Sequence, residues 1–247
     1  MRWADLMNTS KRRLAPALLL CLAPLAGCAT VSPPPSAMAL EGASQGPVGS
    51  TSVTAFGAAP AGVFISGSLG GGARISHRLS NTTAIGVEGI AGAVVDPGDT
   101  PVAPRQLYAG RLHVQVNPGA SEHVAMTFGV GLGATNNNLS YSTLDAGVRF
   151  SHRWFDGFFE PYVGGLVALS VPSATPDGAT RNADADRRFL ATGYLGLDGG
   201  FVLHTTERLD VALDVLILGG YSAATDSLLI APSAGLRYAF GGETARR

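Results

Sequence analysis

From Gly62 to Leu79 the side chains alternate in type with almost no break, and this most limits what the chain can become. The odd positions carry Val63, Ile65, Gly67, Leu69, Gly71, Ala73 and Ile75; the even ones carry Phe64, Ser66, Ser68, Gly70, Gly72, Arg74, Ser76 and Arg78. A period of two places one set on each face of a β-strand. The run exceeds the ~5–6 residues of an ordinary strand, and the same pattern returns in successive segments towards the C-terminus. Outside the leader no window carries an apolar stripe at the helical period. The expectation is therefore all-β.

The first residues form an export leader and stand outside the fold. Lys11, Arg12 and Arg13 make a positive region, and Leu14 to Leu25 an apolar stretch too short to cross a bilayer as a helix. Leu25-Ala26-Gly27-Cys28 resembles the lipobox of bacterial lipoproteins. The resemblance implies cleavage of residues 1–27, acylation of Cys28, and, with Ala29 rather than Asp after it, transfer to the outer membrane. Cys21 leaves with the leader, so Cys28 is the one remaining thiol and neither a disulfide nor a cysteine metal site is expected. Cleavage also removes the chain's one lysine, Lys11, and leaves 13 basic against 17 acidic residues, about −4. That balance offers no footprint for nucleic acid.

Residues 28–50, rich in Pro, Ser, Ala and Gly, read as the lipidated cysteine and a flexible tether needing no packed structure. Beyond it come a weak strand signal at 51–57 and nine clear ones at 62–79, 83–95, 106–117, 122–134, 139–153, 158–171, 188–204, 208–221 and 228–240. Turn chemistry separates them, for example Asp96-Pro97-Gly98-Asp99, Asn117-Pro118-Gly119 and Asp156-Gly157. Longer connections fall on every second link, the rhythm of barrels with short turns at one end and long loops at the other. Counting the weak segment gives ten strands with both chain ends periplasmic; eight is the alternative. The barrel domain is expected over 51–240, with a tail at 241–247.

One face of these segments holds Arg74, Glu88, Arg111, Asp145, Arg149, Glu160, Asp198, Asp210, Asp214 and Arg237 among Gly, Ser and Thr; the other is nearly free of charge. Only 14% of the chain is charged, against ~25–35% of a typical soluble surface. This suits a narrow lumen in which opposite charges pair, Asp145 with Arg149 and Arg111 with Glu88. The outer face would carry Leu209, Val211, Leu213, Val215 and Ile217, with Tyr108, Phe150, Phe159, Phe189, Phe201, Tyr221, Tyr238 and Phe240 near segment ends. Over residues 51–240 the pattern resembles small outer-membrane β-barrels of the OmpA-like, porin-related kind. The resemblance implies an antiparallel up-and-down transmembrane barrel and no single activity.

Candidate chemistry is sparse. Gly129-Val130-Gly131-Leu132-Gly133-Ala134 fits a dinucleotide fingerprint, but a strand follows it where that chemistry needs a helix. His77, His113, His123, His152 and His204 all fall towards the short-turn end, away from the external Asp96, Asp99, Asp177, Asp184, Asp186 and Asp226, so no carboxylate–histidine pair of the omptin protease kind is expected. Ser151 and His152 adjoin on one strand and point to opposite faces. His113, His123 and His204 could share the lower lumen, which reads as a hydrated interior more readily than as a metal site. The expectation is a lipid-anchored, non-enzymatic outer-membrane barrel with a structural, surface-interaction or minor pore role and no cofactor or metal. A soluble, lipocalin-like lipoprotein barrel and a proteolytic or lipid-modifying barrel enzyme are the alternatives.

Overall fold

The computed structural model describes residues 42–43, 46–58, 61–62, 68–94, 105–135, 140–173, 191–221 and 226–241. The strands are β1 (Thr51–Ala58), β2 (Ala61–Gly62), β3 (Ser68–Arg78), β4 (Thr83–Val94), β5 (Arg105–Val116), β6 (Val124–Thr135), β7 (Ser140–Ser151), β8 (Phe159–Pro172), β9 (Thr192–His204), β10 (Leu209–Tyr221) and β11 (Asp226–Phe240). Each pairs antiparallel with its neighbour, and β1 also pairs with β11, which closes the sheet into a barrel. β2 continues β1 along β11 in unbroken register, Ala58 facing Ser233 and Ala61 facing Ile230. The two are one stave, so the barrel has ten and the eight-stranded alternative is excluded. The weak segment at 51–57 is a full strand, and 188–204 shortens to begin at Thr192. Residues 63–67 of the opening alternation, Cys28, Phe189 and the long connections at 95–104 and 174–190 lie outside the described residues.

Following register partners once around, from Ser50 beside Arg78 to Leu229 opposite Gly62, the path returns displaced from residue 50 to residue 62, a stagger of 12. Strands tilted by roughly 35–45° accommodate such a stagger, and ten of them enclose an interior somewhat wider than the eight-stranded kind that side chains just fill.

The alternation sorts side chains as the sequence suggests, with the polar set inside. In β10, Leu213, Val215 and Ile217 point outward at 42–45% exposure, while Asp210 and Asp214 point inward at 1% and 4%. Tyr108, Phe150, Tyr221, Tyr238 and Phe240 are likewise exposed on the outer face. The interior is not uniformly polar, however. Phe56 of β1 packs with Tyr162 of β8, Val202 of β9 and Ala212 of β10, and Ile90 of β4 rests against them. This apolar layer crosses the lumen. Leu166, Tyr194, Leu216, Leu218 and Ala231 make a second layer nearer the long-connection end.

At the opposite end the turns are tight. Trp154 and Phe159 form a bridge around Phe155, Asp156 and Gly157, all three at positive φ (52°, 53° and 86°). Positive φ is costly for a residue as bulky as phenylalanine. Gly157, which has no such penalty, carries the chain into β8.

Phe56→Ala empties the centre of the crossing layer and is expected to lower stability by about 3–5 kcal/mol, measured as a shift in the denaturant midpoint of detergent-held protein.

Candidate functional site: the barrel interior

Ten lumen charges and the segment that enters the lumen from the N-terminal side make up the site. Arg74 and Glu88 are register partners on β3 and β4, and Arg74 Nε donates to Glu88 Oε2 at 2.7 Å. Arg111 on β5 faces Glu88 at 4.0 Å and donates from Nε to Asp145 Oδ2 on β7 at 2.8 Å. β5 and β7 are not neighbours; β6 lies between. Gly129 occupies the crossing point, and a Cβ there would overlap both the guanidinium and the carboxylate. The same device recurs where Arg149 of β7 reaches Asp198 of β9 at 3.0 Å past Gly164. Gly131 and Gly133 likewise give room to Thr143 and Tyr141. The glycine-rich fingerprint at 129–134 is thus a floor for its neighbours' side chains.

The pairing differs from the expectation in one respect. Asp145 pairs with Arg111 and Arg149 with Asp198, so Asp145 and Arg149 are not partners. Four residues apart along one extended strand they are separated by ~13 Å, whereas the bare glycines bring partners on other strands within reach.

Nearer the short-turn end the charges converge. Arg237 holds Asp210 at 2.6 Å, and His204 is held between Asp210, 2.7 Å from Nδ1, and Glu160, 3.0 Å from Nε2. Glu160, fully buried, also accepts from the Ser151 hydroxyl at 2.7 Å and from Arg153 at 3.3 Å. Both ring nitrogens of His204 are thus on carboxylates, and the Ser151 hydroxyl is on Glu160 rather than on a histidine. The other histidines do not join it in a metal set. His123 stacks on His152 at 5.1 Å on the outside, and His77 meets Thr51 at 2.9 Å. Among the described residues no three His, Cys, Asp or Glu side chains are grouped to hold a metal.

Residues 42–43 and 46–50 depart from the tether expectation. Ala43 is fully buried in the mouth: its N–H donates to Ser151 Oγ at 3.0 Å, and its carbonyl accepts from Asn117 Nδ2 at 2.7 Å and Gln115 Nε2 at 3.4 Å. Gly42 lies against Glu160 so closely that a Cβ would overlap the carboxylate. Arg78 donates to the Gly46 carbonyl, and Ser50 N donates to Pro47 O at 3.0 Å around Gly49 at φ 78°. Glycine third in such a four-residue turn suits the type II geometry, and it reverses the chain into β1. The C-terminal end of the supposed tether therefore caps the mouth. Composition hid this, because backbone groups make the contacts. The apolar layers had a readable signal: Leu216 and Leu218 share the parity of Asp210 and Asp214.

No family model and no curated protein matches the chain. Among solved structures it is similar to the neisserial surface protein A (12% identity, TM-score 0.41, covering 79% of this chain and 100% of that one). It is also similar to the N-terminal β-barrel domain of Pseudomonas aeruginosa OprF (14%, 0.36, 78% and 99%) and to the outer membrane protease OmpT from Escherichia coli (12%, 0.42, 82% and 100%). Likeness this distant carries no argument about role.

Two substitutions probe the site. Arg111→Met leaves Asp145 buried without its partner and is expected to destabilise by about 3–5 kcal/mol, with much of the loss recovered in the Arg111→Met/Asp145→Leu double variant; denaturant midpoints of the set check this. Gly42→Val displaces the cap, so a cysteine placed at Ala43 reacts with a polar maleimide at least tenfold faster than in the parent.

Proposed function

We propose that this chain is a lipid-anchored β-barrel of a bacterial outer membrane, filled rather than open, which serves as a non-enzymatic scaffold presenting its long connections outside the cell. The distribution of charge is the observation that carries this reading. The ten lumen charges face inward, while Leu132, Leu197, Leu112, Leu144 and Val163 face outward at 59–70% exposure. Water penalises so broad an apolar surface, and hydrocarbon solvates it. A lipocalin-like carrier needs the reverse arrangement.

Against a pore stand the layer built on Phe56 and Tyr162 and the cap at Gly42–Ala43. Against an enzyme stands the engagement of His204 and Ser151 by carboxylates. The first and last barrel residues, Thr51 and Phe240, meet at the short-turn end, which we assign to the periplasm. Residues 28–42 can span up to ~50 Å, enough to run from acylated Cys28 in the inner leaflet to the mouth.

The test is carbonate extraction of membranes bearing the Cys28→Ser variant, followed by planar-bilayer recording of purified protein. The barrel is expected to stay in the pellet without its lipid and to give no conductance steps. Release into the supernatant overturns the membrane assignment, and reproducible steps overturn the filled interior.

A further inference from the structure

Among the described residues, five of the six lumen carboxylates have a cationic partner: Glu88 has Arg74, Asp145 has Arg111, Asp198 has Arg149, Asp210 has Arg237, and Glu160 has Arg153 with His204. Asp214 is the sixth. It is 4% exposed, and neither carboxylate oxygen accepts a hydrogen bond at bonding geometry. The cation whose field reaches it, Arg149, is bound to Asp198 and lies over the Tyr162 ring at 5.4 Å. Along β10, Asp214 falls between Ala212 of the crossing layer and Leu216 of the second. An uncompensated carboxylate between two apolar layers is strongly disfavoured, so something must neutralise it.

The surroundings are oxygen-rich. Ser233, the register partner on β11, has a buried hydroxyl without a partner, and the Tyr162 hydroxyl, short of bonding geometry, is directed at Asp214 itself. A Cβ at Gly200, the register partner on β9, would sit 2.8 Å from the Tyr162 hydroxyl oxygen and 2.9 Å from the Asp214 Cα, so that hydroxyl stands beside the aspartate. Carboxylate and hydroxyl oxygens are hard donors that suit alkali and alkaline-earth ions. Asp214 brings a single negative charge to this level, so a divalent ion there would leave a net positive charge between the layers. We propose that Asp214, Ser233 and Tyr162 form an internal site for one monovalent alkali cation.

This goes beyond the scaffold reading and does not depend on it, because it concerns the lumen wherever the barrel resides. The test uses the full chain in detergent micelles, with thermal unfolding followed by circular dichroism. Sodium, potassium and the bulky N-methylglucamine are compared as chlorides at equal ionic strength. The wild type is expected to melt several degrees higher in sodium or potassium, with a saturable dose dependence. Asp214→Asn is expected to melt at one temperature in all three salts, no lower than the wild type in N-methylglucamine. Ser233→Ala, which keeps the charge, is expected to need more alkali ion for the same gain. A wild type indifferent to the cation overturns the proposal, and so does cation dependence that survives in Asp214→Asn. A midpoint that follows pH alone also overturns it, since a proton then neutralises the aspartate. Should Asp214→Asn fail to assemble, the wild-type salt comparison and Ser233→Ala still decide.

Discussion

Everything inside this barrel depends on guanidinium groups meeting carboxylates away from bulk water. Burying one such ion without its partner costs several kcal/mol, so the lumen tolerates its charges only where the geometry brings opposites together. The chain achieves this by removing side chains rather than adding them. Gly129 and Gly164 leave bare backbone where Arg111 and Arg149 must pass over a strand to find Asp145 and Asp198. These contacts also discriminate between registers. A slip of one residue turns every side chain to the other face, sending arginines outward and leucines inward.

The interior is layered along the barrel axis. A polar cluster at the short-turn end gives way to the Phe56 layer, then to the level of Asp214, then to the Leu166–Leu218 layer. Apolar layers raise the strength of each ion pair between them by keeping the local dielectric low. The aromatic groups Phe56 and Tyr162 therefore both block the passage and strengthen the charges beside it.

The backbone architecture was readable because it follows from period and parity. All ten staves are within a few residues of the segments marked by alternation, apart from Gly62, which belongs to the first stave rather than the second, and the late start of β9. The inward charges have the burial their parity suggests. Pairing partners were harder, since parity says which face a residue occupies but not which glycine opens a path to which neighbour. Asp145 and Arg149 share a face and still do not meet. The cap was illegible for a different reason: Gly42 and Ala43 act through peptide groups, and any sequence has those. Cys28 and the long connections stand where the sequence reading left them.

The seam between β1 and β11 has a further consequence. Every other full-length pairing joins neighbours in the chain, whereas this one brings Thr51 to Phe240, almost the whole domain apart. Non-local closure of this kind is slow, and until the last stave emerges two unpaired sheet edges stay open to other chains. The same event traps the peptide at Ala43, because the mouth it fills does not exist before the ring is complete. An assembling molecule thus passes through a vulnerable interval whose end coincides with its own sealing.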